Sequence, residues 1–146
     1  MRKQTPKIPP KEYAEFVKGV NLLDIRFESG EFRDNGFDLA SAGDKIKVKV
    51  SRKAEILEKK QFSFRVRDKL SFAVIDPNSR KHLIDIKASL LVEYSSNQEI
   101  SEGIFEIFRE INVPVNTWPY FREFVHNCLV RMGYPRLVLP AWHTVK

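Results

Sequence analysis

The chain holds one cysteine, Cys128, in 146 residues. A lone thiol excludes an internal disulfide framework and suits a reducing compartment. The three histidines, His82, His126 and His143, share no ligand-like spacing with one another or with Cys128, so no metal site is expected. There is no GxGxxG, no P-loop, no HExxH and no CxxC. Their absence removes the common nucleotide, zinc-protease and redox signatures. Cys128 sits on the apolar stripe of a helical segment, where a thiol acts as a small hydrophobe rather than a nucleophile. Glu12/Glu15 and Glu106/Glu110 are carboxylate pairs at helical spacing and read as solvated faces. No enzyme, catalytic residue or cofactor is assigned. No apolar run approaches the roughly 20 residues that span a bilayer. The basic start Met1-Arg2-Lys3 is not followed by the apolar stretch of a secretory signal. The expected location is the cytoplasm.

What is present describes one folded domain. Hydrophobic residues make up 42% and charged residues 30%. A chain of this length buries roughly two-thirds of the surface its unfolded form exposes, enough for one core. The net charge of +6 is unevenly placed: Lys45 to Lys87 holds 13 basic and 5 acidic residues. Such a stretch attracts acidic partners, and is also what the solvated face of a sheet looks like.

Residues 1–10 read as a flexible leader and 11–146 as the domain. Tyr13, Phe16 and Val17 recur at helical spacing before Gly19 and predict a short helix over 11–18. Leu23, Ile25 and Phe27 alternate with charged residues and predict a strand, with 29–44 as a long connection. Three longer alternating stretches follow at 45–58, 61–75 and 82–94, each with one apolar face. Asp76-Pro77-Asn78-Ser79 is a turn by its chemistry, and Asp68, interrupting an apolar row, is expected to mark a bulge. The period then changes. Ile100, Ile104, Phe105, Phe108 and Ile111 predict a helix, which Pro114 should break. Asn116 should cap a second helix, carrying Trp118, Phe121, Phe124, Val125, Cys128, Leu129 and Met132 and ending at Gly133. The expected class is α+β: a four-stranded antiparallel sheet with two C-terminal helices packed on one face.

Two apolar helices and the apolar tail Tyr134–Trp142 exceed what one face of a four-stranded sheet can cover. The surplus predicts an oligomer interface or an apolar groove.

Two segments carry a family resemblance. Trp118-Pro119-Tyr120-Phe121-Arg122-Glu123, followed by Gly133-Tyr134-Pro135-Arg136-Leu137-Val138-Leu139-Pro140, resembles the SecB protein-export chaperones. Trp118 stands where the family has Phe, while Pro119, Tyr120, Arg122, Glu123, Gly133, Pro135, Leu137, Leu139 and Pro140 fit. The resemblance implies helices between outer sheets, a dimer or tetramer, and apolar grooves that hold unfolded polypeptide without ATP. The residues expected to line such a groove are Phe27, Phe105, Phe108, Trp118, Phe121, Phe124, Leu137, Leu139 and Trp142, with about half of them in the subunit core.

One departure bears on partners. SecB proteins of export are acidic, and an acidic sheet face docks the ATPase SecA. Here the polar face of the sheet is expected to carry Lys45, Lys47, Lys49, Lys53, Arg65, Arg67 and Lys69, and the polar zinc-associated tail is missing after Pro140. Both argue against SecA and for a dedicated client, such as the antitoxin of a toxin–antitoxin pair. The alternative reading is a nucleic-acid binding module on the basic face. It is weakened because Phe62, Phe64 and Phe72 fall on the opposite side, away from where stacking would be needed.

Overall fold

The computed structural model describes residues 8–36, 46–134 and 139–140. Its elements are α1 (Pro10–Lys18), β1 (Asn21–Asp34), β2 (Lys47–Lys59), β3 (Ser63–Ile75), β4 (His82–Ser95) and α2 (Glu102–Arg131). The strands form one antiparallel sheet in the order β1-β4-β3-β2. The α+β class and the four-stranded sheet are as expected from the sequence.

Strand periodicity explains the layering. Side chains alternate between faces, so the even-numbered residues of β3 and β4 point to one side. Phe64, Val66, Leu70, Phe72 and Val74 meet Ile84, Ile86, Ala88, Leu90, Val92 and Tyr94 there, all buried. α2 lies across this face. Its N-terminal half runs beside β2, where Glu110 pairs with Arg52. Its C-terminal end reaches β1, where the Tyr134 hydroxyl donates to Asp34 at 2.7 Å. The helix therefore crosses the sheet diagonally. α1 closes one end of the core with Phe16, against Phe64 and Ile100. Ile8 packs on the same cluster and Pro10 already belongs to α1.

Three expectations need correction. First, β1 does not stop at residue 28 but runs to Asp34, paired along β4. Two bulges, after Leu22 and after Phe27, reset its phase. Leu22, Ile25, Phe27, Gly30 and Phe32 thereby stand opposite Tyr94, Val92, Leu90, Ala88 and Ile86, on the helix side. A one-residue slip moves every later side chain to the other face, so the period is invisible over the whole strand. Gly30 is not a turn signal: a Cβ added there would lie 2.7 Å from Cζ of Phe124.

Second, Asp68 marks no bulge. It pairs in regular register with Ala54 and Leu90 and is fully buried.

Third, the two C-terminal helical segments are one continuous helix of 30 residues with Pro114 and Pro119 inside. Each interior proline removes a backbone bond and costs about 3 kcal/mol. Packing offsets this. Val113, Pro114, Thr117 and Trp118 are all buried at the site of the expected break. Asn116 does not cap a helix there. Its Oδ1 instead accepts the Tyr94 hydroxyl at 2.9 Å, and Oδ1 of Asn112 accepts that of Tyr13. The helix ends as expected at Gly133, whose φ of 82° suits glycine. The amide of Tyr134 reaches the carbonyl of Leu129 at 3.0 Å, and that of Gly133 reaches Val130 at 3.0 Å.

Candidate functional site: the apolar flank of the helix and the two faces of the sheet

The nine predicted groove residues divide by burial. Phe105, Phe108, Trp118, Phe121 and Leu139 are buried within the single subunit. Phe108 packs edge-on to Phe64 and Tyr94, with ring centroids 5.3 and 5.0 Å away. Trp118 and Phe121 share the second core cluster with Leu139. The indole Nε1 of Trp118 donates to the carbonyl of Pro140 at 2.7 Å, which ties this piece of tail to the helix. Leu137 and Trp142 lie outside the described residues.

Phe27 and Phe124 remain at the surface, and the structure brings them together. Phe27 is 41% exposed on β1. Phe124 is half-buried on α2, with its ring centroid 5.4 Å from that of Phe27. Gly30 makes room for it. Phe32, two residues further along the same face of β1, is 51% exposed, and Leu22 and Tyr120 are exposed as well. The result is an aromatic flank where α2 leaves the β1 edge uncovered. Sequence reasoning missed Phe32 and Leu22. The bulges hide both, and only pairing with β4 puts them on the helix side. At the opposite edge Val48 and Val50 are also exposed, opposite the buried Val74 and Phe72.

Between the two core clusters lies a polar island. Oδ2 of Asp68 accepts from Thr117 Oγ1 at 2.7 Å and from Arg52 Nε at 3.2 Å. Oδ1 is buried with no partner among the described residues. Burial pushes this carboxyl above the usual carboxylate range, although Arg52 and Thr117 pull it down. Burial likewise raises the Cys128 thiol, which leaves it poorly suited to act as a nucleophile.

The outer face of the sheet is polar. Arg67 forms a fork on Glu28, with Nε at 2.8 Å and the second terminal nitrogen at 2.9 Å, and reaches Glu55 at 3.2 Å. These hydrogen bonds hold the Glu28 carboxyl below its ordinary value. No Phe, Tyr or Trp side chain stands on the outer face of the strands among the described residues. No group of three or more acidic, histidine or cysteine side chains that could hold a metal occurs among those residues. No helix among them is long and apolar enough to cross a membrane.

A diagonal helix on one face of a β1-β4-β3-β2 sheet, flanked by exposed aromatics, defines an α+β fold. Its fold is SecB-like. The chain is similar to a SecB-like chaperone of Mycobacterium tuberculosis, solved in complex with a ChAD peptide from the HigA1 antitoxin. The TM-score is 0.74 at 13% identity, covering 87% of this chain and 93% of that one. A protein of unknown function from Streptococcus agalactiae is also similar, with a TM-score of 0.49 at 9% identity, over 83% and 96% of the two chains. No family model and no curated protein matches the sequence.

Proposed function

We propose that the protein is an ATP-independent chaperone that holds unfolded polypeptide on the apolar flank of α2, acting in the cytoplasm. The observation that carries this reading is the exposed Phe27–Phe124 pair with Phe32 beside it, on a SecB-like fold. Phe27 and Phe124 would form the groove. Leu137 and Trp142 would extend it, while Phe105, Phe108, Trp118, Phe121 and Leu139 belong to the subunit core beneath the helix.

The energetics suit a holdase. Burying one large apolar side chain is worth about 1.5–3 kcal/mol, so a few client anchors gain about 5–8 kcal/mol before ordering costs. Binding at one groove is then weak and tolerant of sequence. Repeating the groove in a homo-oligomer, a dimer or tetramer, raises retention through effective concentration. A dedicated client such as an antitoxin fits better than export through SecA. The similar M. tuberculosis chaperone was solved with an antitoxin peptide, and the lysine-rich outer face here does not suit a partner that docks on an acidic face.

The test mixes the protein with a chemically unfolded client and follows aggregation by light scattering. Wild type should suppress it at stoichiometric ratios. Phe27→Asp should weaken client binding by about tenfold or more, the equivalent of one lost anchor. Unchanged aggregation with wild type would refute the proposal. Mass by light scattering in the same sample should exceed that of one chain.

A further inference from the structure

The outer face of the sheet is concave, with a cavity of about 880 Å³ lined by Ser51, Lys53, Lys69, Ser71 and Lys87 among others. The register explains the grouping. Lys53 stands directly opposite Lys69, Ser51 opposite Ser71, and Ser71 opposite Lys87. Lys49 lies two residues from Ser51 on the same face of β2. Like charges directly opposed in a sheet are destabilising. Two arginines of this face are ion-paired: Arg65 with Glu58, and Arg67 with Glu28 and Glu55. None of the four lysines has a hydrogen bond or ion pair among the described residues, although the charge of Lys69 helps lower the Glu28 carboxyl. The hydroxyls of Ser51 and Ser71 are 2.6 Å apart, so one donates to the other and one O–H is left to donate outward.

We propose that this lysine–serine patch docks a short acidic segment of a partner polypeptide. Its dimensions set the length. Four residues along β2 span about 14 Å and three strands span about 10 Å, which matches about four residues of extended chain. Its rim sets the class. Glu28, Glu31, Glu55 and Asp85 stand around the lysines on the same face. They would repel a long polyanion but tolerate a short acidic run with uncharged flanks. The strands present their Phe and Tyr side chains to the helix side, so the outer face lacks the platform that single-stranded nucleic acid stacks on. The patch lies on the opposite side of the sheet from Phe27 and Phe124, so this inference does not depend on the proposed groove.

The experiment measures fluorescence anisotropy of a labelled peptide with four consecutive Glu between Gly-Ser flanks. A Gln counterpart and a 20-nucleotide oligothymidine are the comparison probes. Each is titrated with wild type and with Lys53→Ala/Lys69→Ala at two salt concentrations. The Glu peptide should bind wild type at low salt and weaken as salt rises. The Gln peptide and the double variant should each lose about tenfold or more, as for two lost charge-assisted contacts. The double variant should keep the wild-type melting temperature and the ability to hold an unfolded client. The proposal is overturned if the Glu peptide does not bind, if Gln binds equally, or if the folded double variant binds undiminished. Tighter binding of the oligothymidine also overturns it, making the patch a nucleic-acid surface.

Discussion

The two faces of the sheet are built from the same four strands yet obey different rules. The core under the helix is buried and holds charge at one place, where Asp68 and Arg52 lie under Thr117. The outer face is charged throughout and carries its ion pairs in water. The same attraction is therefore worth different amounts on the two sides. A buried charge that loses its partner cannot recover its hydration, whereas an exposed one can. Disturbing the two faces should separate cleanly in energy.

The largest effect is expected at the island. Asp68→Ala removes the buried carboxylate to which Arg52 and Thr117 are bonded and should cost about 3–5 kcal/mol in a denaturant unfolding titration. Phe121→Ala, which empties a fully buried site, should cost about 3–5 kcal/mol by the same measurement, through cavity formation. Equal and small losses at both positions would contradict the division between faces. Gly30→Val comes next. It forces Phe124 off β1 and should cost about 1–3 kcal/mol by overpacking, with the aromatic flank rearranged. Client holding should fall with it.

The pH response sharpens the comparison further. The folded-state pKa of Asp68 lies above its unfolded value. Between the two values the folded protein therefore binds the extra proton, and stability from this site falls as pH rises through that window. Wild type should gain on Asp68→Asn as pH is lowered from neutral towards the unfolded carboxylate range, when unfolding midpoints of the two are compared. On the outer face the sign is reversed. The Glu28 pKa is lowered, so its contribution is present above the unfolded pKa and lost as pH falls through the folded one. The smallest stability effect belongs to Lys53→Ala, which removes a like-charge opposition and should leave the midpoint equal or slightly higher.

Much of the fold was legible in the residues. The alternation in β2, β3 and β4, the Asp76–Ser79 turn, the N-terminal helix and the Gly133 stop all follow from local periodicity and turn chemistry. Of the groove, the apolar pattern marks Phe27 and Phe124 as it marks Phe108 and Phe121, and does not separate the exposed pair from the buried one. An aromatic on an amphipathic stripe reads the same whether the stripe is covered or left open.

The sequence by itself determined which side chains shun water and in what period, because that depends only on residue type and on the repeat of helix or strand. Tertiary structure alone decided three further things. It set β1 beside β4 and shifted its phase by two bulges, which created the Phe27–Phe32 flank. It carried one helix straight through Pro114 and Pro119, because burial of their neighbours outweighs two missing backbone bonds. It made Asp68 a buried anchor rather than a bulge, since only strand pairing and the overlying helix bring Arg52 and Thr117 to it. Each is a contact between residues distant in the chain, and such contacts leave no local period to read.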